Sequence, residues 1–167
     1  MMLSKLFGKS KHKTIEILAP LSGRLLPLSA VPDEAFAGKQ RGDGIAIEPS
    51  LGKIIAPFDG KVSHLNDSNH SIIVEHSTGL KLQIHIGINT EALNGDGFRT
   101  HVIPGDTFNA GDTLIEFDRL KIEAAGCSSI TPVVVANENE VKLLEHIILS
   151  GNVTGGDEVI LKAGMKG

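Results

Sequence analysis

The sequence predicts an all-β domain, a sandwich or closed barrel of short strands, and three observations carry that reading. From Thr14 onward, apolar residues come in short runs broken by glycine, proline, aspartate and serine at near-regular spacing, which is the rhythm of strands and turns. One segment echoes another: Ala19-Pro20-Leu21-Ser22-Gly23-Arg24-Leu25 returns, 37 residues later, as Ala56-Pro57-Phe58-Asp59-Gly60-Lys61-Val62. Each copy is Ala-Pro, a turn closed by glycine, a cation and then a strand, so a β unit is duplicated, and two copies are too few for a propeller or solenoid. Finally, 167 residues with 41% apolar and 22% charged side chains suit one globular domain with a real core.

The elements follow in order. Strands are expected within TIEILAPLSG from Thr14, DGIAIEPSLG from Asp43, KIIAPFDGKV from Lys53, SIIVEHSTG from Ser71, LKLQIHIG from Leu80, DTLIEF from Asp112, TPVVVAN from Thr131 and EVILKAG from Glu158. Three places read as helix. Pro32, Asp33 and Glu34 start a short turn through Phe36 and Ala37, and Asp118 caps RLKIEAA before Gly126. The third is Asn137 to Leu149, where Val141, Leu144 and Ile148 share a helical face and Gly151 follows as a stop. A run from Pro104 to Leu114 has the paired Gly-Asp turns of lipoyl and biotinyl domains, without the lysine those carriers present at a hairpin tip.

Charge divides the chain. Residues 1–13 hold Lys5, Lys9, Lys11 and Lys13 and no acid, while the whole chain has a net charge of −4, so residues 14–167 carry −8. An acidic body argues against nucleic acid and for a partner with a basic face. Residues 1–13 read as a basic, flexible tail ahead of a single domain at 14–167, and Leu3, Leu6 and Phe7 opposite its lysines offer transient contact with a membrane surface. No apolar run approaches the ~20 residues of a spanning helix. With no secretory signal and one cysteine, Cys127, read as a small apolar filler, the expected location is the cytoplasm.

The chemistry centres on His70 and His85. In LKLQIHIG, Leu80, Leu82, Ile84 and Ile86 alternate with Lys81, Gln83 and His85, which puts His85 on the polar face of a strand. Pairing Ile72 with Ile84 and Val74 with Leu82 buries both apolar faces and sets Glu75 against Lys81. Strict alternation then turns His70 inward. A strand that begins just after His70, behind the turn-prone Asn66-Asp67-Ser68-Asn69, frees its imidazole from that parity. Either way the two backbones lie within about one inter-strand spacing, ~5 Å, so the rings can meet. Such a pair serves a metal, a base beside a nucleophile, or a histidine that carries phosphoryl.

Asn69-His70 followed by His85-Ile86-Gly87-Ile88, with Gly42-Asp43-Gly44-Ile45-Ala46-Ile47, Ala56-Pro57, Gly95-Asp96-Gly97-Phe98, Leu114-Ile115-Glu116-Phe117-Asp118 and Thr131-Pro132-Val133-Val134, resembles the glucose-type enzyme IIA component of the bacterial phosphoenolpyruvate sugar phosphotransferase system. The match runs from about Thr14 to Leu161. The resemblance implies an antiparallel β-sandwich of duplicated units with a few short surface helices. It implies that His70 accepts phosphoryl on Nε2 from the histidine-containing phosphocarrier protein HPr and passes it to a cysteine in the IIB domain of a sugar permease. His85 would orient His70 and stabilise the phosphoryl group. Ser68 stands where the family commonly has threonine, with a hydroxyl for the imidazole, and Gly87 supplies a backbone carbonyl that holds the reacting tautomer.

Docking is expected to involve Phe36 on an apolar rim and Asp33, with Lys39 and Arg41 bordering it. Three departures make that face more polar: Asn66 and Gln83 replace phenylalanines of well-known members, and Asn89 replaces an aspartate, removing one acidic contact. Regulatory target enzymes and transporters known for enteric members are further candidate partners. A zinc metallopeptidase of the lysostaphin type is a rival, but such a site needs three protein ligands and an open position. Its His-x-His reads Gln83-Ile84-His85, leaving Asp67 as a candidate ligand. A non-catalytic binding module is the other alternative. No cofactor is obligatory; zinc held by His70, His85 and a partner carboxylate would complete a site that two ligands leave weak. His12, His64, His76, His101 and His146 read as surface or satisfied residues.

Overall fold

A computed structural model describes residues 14–167; the expectations for the basic tail and its membrane contact lie outside the described residues. The β-branched, glycine-punctuated runs become the strands β1 Thr14–Leu18, β2 Gly23–Leu26, β3 Gly44–Pro49, β4 Lys53–Ile55, β5 Gly60–Leu65, β6 Ser71–His76 and β7 Lys81–His85. They continue as β8 Phe98–Thr100, β9 Thr107–Phe108, β10 Thr113–Phe117, β11 Thr131–Val135, β12 Val141–His146, β13 Gly151–Val153 and β14 Val159–Met165. An eight-stranded sheet runs β9-β5-β6-β7-β11-β3-β2-β13, with two three-stranded sheets, β4-β10-β8 and β12-β14-β1. All named pairings are antiparallel.

The core lies between these sheets. Ile17, Ile47, Ile54, Leu82, Ile84, Leu114 and Ile160 are fully shielded from solvent, and such burial is the main favourable term in folding. β11 shows why an unbroken apolar run is tolerated: Thr131–Val135 is buried throughout because it lies between β7 and β3. Its Pro132 has no N–H, yet pairing with β7 begins only at Val133 opposite Ile84. The missing donor therefore falls at the end of that ladder, beside His85.

The duplicated Ala-Pro segments hold each other. Leu18 N–H donates to Pro57 O at 3.0 Å and Ile55 N–H to Pro20 O at 2.6 Å. Each alanine carbonyl also accepts from a Gly-Asp turn, Ala56 from Gly111 at 3.0 Å and Ala19 from Gly156 at 2.8 Å. The sequence echo is thus a repeated contact at the centre of the domain.

Two of the three expected helices form. The α1 helix, Glu34–Ala37, is capped by the Asp33 carboxylate accepting from Ala35 N–H, and α2, Arg119–Ala124, by Asp118 accepting from Lys121 N–H. The third expectation is corrected: Asn137 to Leu149 is a 3-10 turn, Glu138–Glu140, followed by strand β12. A register shift between Val141 and Leu143 inserts one residue against β14, so Val141 and Leu144 face the core three positions apart, as they would on a helix. No described helix is long and apolar enough to cross a membrane.

Candidate active site

The hairpin β6–β7 has the register that alternation requires: Ile72 opposite Ile84, Val74 opposite Leu82, Glu75 opposite Lys81, and Ser71 opposite His85. β6 starts at Ser71, immediately after His70. Asn69 takes the left-handed conformation, φ 60°, which asparagine tolerates better than most residues. The ladder nevertheless extends past the strand, because Ile86 N–H donates to His70 O at 2.7 Å. His70 is thereby fixed by its backbone while its ring leaves strand parity, and the His70 and His85 rings meet edge to face, 5.0 Å between centroids.

Each ring is held differently. His85 Nδ1 donates to Gly87 O at 2.8 Å, leaving Nε2 as its free nitrogen. Gly87 has φ 69°, and a Cβ there would lie 2.7 Å from both Ser128 O and Thr90 Cγ2, so only glycine places that carbonyl. The carbonyl expected of Gly87 is present, and it fixes His85. His70 is 5% exposed and is held by Asn66. The Asn66 Oδ1 accepts from His70 N–H and Ser71 N–H, both at 3.1 Å, which turns its Nδ2 toward the ring at 3.0 Å from Nδ1 and 3.1 Å from Nε2. Near-equidistance means that the amide is not aligned with the lone pair of either ring nitrogen alone.

Behind His85 lies Phe36, its ring 5.2 Å away. Phe36 is 2% exposed within a small cluster with Leu28, Val31, Ala46, Ile88 and Val134, so the apolar rim expected of it is corrected to a buried wall that supports the imidazole. Arg41 stacks over the Phe36 ring, 5.4 Å from its centroid. The expected imidazole partner Ser68 makes no side-chain bond to either histidine among the described residues; that contact belongs to Asn66. Gln83 donates to Ser71 Oγ at 3.1 Å, Asp33 caps α1, and Asn89 is exposed with φ 64°.

The missed residue is Glu91. Asn89 starts a 3-10 turn, Thr90–Leu93, that brings the Glu91 carboxylate to 3.8 Å from His70 Nε2. The acid absent at Asn89 thus returns two residues later. His70, His85 and Glu91 each offer one ligand atom, all within 4.8 Å of one another; Asp67 is not in that cluster. Burial lowers the pKa of His70, His85 lowers it further and Glu91 opposes both. Burial also lowers His85, against the Gly87 hydrogen bond and the Glu91 charge. Both rings are held toward the neutral form, with lone pairs available.

Three other histidines have partners of their own: His76 Nδ1 is hydrogen-bonded with Thr78 Oγ1 at 2.9 Å, and His101 and His146 lie 3.5 Å from Glu116 and 3.8 Å from Asp43. Cys127 is half-buried with Sγ 3.6 Å from Asn89 O. A surface depression of about 600 Å³ is lined by Arg41, Asp43, Glu138 and Leu143 and includes neither histidine of the pair.

Residues 15–141 match the family described as the phosphoenolpyruvate-dependent sugar phosphotransferase system, EIIA 1. The chain is 41% identical over 150 residues to the PTS system glucose-specific EIIA component of Oceanobacillus iheyensis, covering 90% of each chain. With the protein of the same name from Haemophilus influenzae it is 37% identical over 162 residues, covering 96% of each. The fold matches the glucose permease IIA from Mycoplasma capricolum with a TM-score of 0.83 and 33% identity, over 90% of this chain and 96% of that one. Family match and relatives agree with the β-sandwich, and this chain belongs to the EIIA 1 family of the phosphoenolpyruvate-dependent sugar phosphotransferase system.

Proposed function

We propose that the protein is a phosphocarrier that accepts phosphoryl from HPr on His70 Nε2 and passes it to the IIB cysteine of a glucose- or N-acetylglucosamine-type permease. The observation that carries the reading is the edge-to-face pair itself, a buried His70 5.0 Å from a His85 whose Nδ1 is committed to a carbonyl. Phosphoryl transfer asks a protein mainly for positioning and charge stabilisation. A neutral His70 presents the attacking lone pair. Arrival of a dianion favours protonation of the free His85 Nε2, which then donates to a phosphoryl oxygen. Asn66 Nδ2 adds a neutral donor on the other side.

The test is intact mass after incubation with phosphoenolpyruvate, enzyme I and HPr. One acid-labile phosphoryl group, absent in His70→Ala, is expected; no gain while HPr itself is phosphorylated overturns the reading. The polar residues Asn66, Gln83 and Asn89 bear on which partners dock, including regulatory enzymes or transporters.

A second reading concerns metal. Two neutral imidazoles and a carboxylate suit zinc, and a ligating histidine commonly gives its other N–H to a carbonyl, as His85 does. Zinc would use the same His70 nitrogen as phosphoryl, with Glu91 or a partner carboxylate as third ligand. Titration of the pure protein with Zn²⁺ should then give binding that both His70→Ala and His85→Ala abolish; binding unchanged in either variant rejects this site.

A further inference from the structure

Glu91 has no task in the transfer as described, yet its position is built. Thr90 is fully buried and its Oγ1 donates to Ile86 O at 2.6 Å, tying the turn to the end of β7. The flanking Asn89 and Asn94 are both left-handed, φ 64° and 52°, so the backbone bends sharply on each side of the acid. The Glu91 side chain remains 60% exposed, with its carboxylate 3.8 Å from His70 Nε2. A tethered backbone and a free tip place a negative charge at the atom that would receive phosphoryl, while letting it swing aside.

We infer that Glu91 sets the phosphoryl equilibrium of the site: its carboxylate opposes the dianion on His70 Nε2, lowering the phosphorylated fraction and favouring onward release. The inference rests on the phosphocarrier reading. In the accepting step the Nε2 lone pair forms the new N–P bond, the donor's N–P bond breaks, and its electron pair returns to the donor ring; the His70 Nδ1 proton stays in place. One N–P bond replaces another, so intrinsic driving force nearly cancels and the surroundings of the two rings decide the balance. Around His70 those surroundings oppose each other. Asn66 Nδ2 and a protonated His85 favour the phosphoryl group, and Glu91 at 3.8 Å disfavours it.

The experiment is the equilibrium between phospho-HPr and the protein, with phosphorylated fractions read by intact mass, for wild type, Glu91→Gln and Glu91→Asp. Glu91→Gln should raise the exchange constant by about 3- to 10-fold, the range for an exposed acid facing a divalent charge, with Glu91→Asp closer to wild type. The difference should shrink in about 1 M salt, where screening acts within ~3 Å. The His70 ring should titrate lower in Glu91→Gln by NMR, a change that a role confined to shaping the turn would not produce. Glu116→Gln, which removes an acid beside His101 instead, should leave the constant unaltered. An unchanged or lower constant in Glu91→Gln, or a rise that salt does not diminish, overturns the inference. If wild type and Glu91→Gln both stay unphosphorylated beside phospho-HPr, it is the carrier reading that fails.

Discussion

Asn66 ties the His70 ring to the backbone. Its carbonyl oxygen takes two N–H groups, from His70 and Ser71, and that fixes which end of the amide meets the imidazole. Asn66→Ala should leave both donors short of an acceptor and cost ~1–3 kcal/mol, the range for unsatisfied buried polar groups, measurable by urea unfolding. Asn66→Asp keeps the acceptor but sets a second anion against the ring. His70 should then titrate higher by NMR and accept phosphoryl more slowly; an unshifted His70 would show that the amide does not govern the ring. At the histidines themselves the roles divide. His70→Ala should lose acceptance outright, whereas His85→Gln should still accept from HPr but pass the group to IIB poorly, and equal loss at both steps would contradict that division. The pair was legible because alternation in β7 assigns His85 a face and a turn-prone run frees His70. Glu91 was not, because its approach depends on two left-handed asparagines that no periodicity encodes.

The hairpin β6–β7 shows how an element converts pattern into a site. One register buries Ile72, Val74, Leu82 and Ile84 together, and a slip by one residue would expose all four, so His85 is positioned by hydrophobic burial far more than by its own contacts. Sequence suffices for such a strand. It does not for β12, where the bulge after Val141 converts period two into an apparent helical spacing. Nor does it reveal how Phe36 packs, since a capped turn signals a helix without saying that its aromatic faces inward. The exit from β7 is the element's sensitive point. Gly87→Ala forces a Cβ against Ser128 O and Thr90 Cγ2 at a left-handed φ, so the chain must shift and the carbonyl holding His85 must move with it. A loss of at least ~2 kcal/mol is expected, together with a change in the His85 tautomer detectable by NMR. An unperturbed His85 in a stable Gly87→Ala protein would mean that the carbonyl is not what orients the ring.

Over the whole molecule, burial of histidine links stability to pH. His70, His85 and His76 are all lowered, with burial the largest cause for each. A histidine with a depressed folded pKa binds fewer protons in the folded than in the unfolded chain between the two values, so stability rises with pH across that window. The contribution is complete above the unfolded value, ~6.5, and is lost as pH falls below it toward the folded values. Ordinary acid loss from carboxylates sets in lower, because their reference values are ~4. Thermal unfolding should therefore show a falling midpoint between about pH 7.5 and 5.5, before the carboxylates titrate. Replacing His85 by asparagine, which removes a titrating ring, should flatten that dependence even if it lowers the midpoint overall. The slope, rather than the midpoint, is the informative quantity, since packing loss shifts a curve and proton linkage tilts it. A slope identical in wild type and His85→Asn would assign the acid sensitivity to other groups and remove the link between burial of the pair and its neutrality.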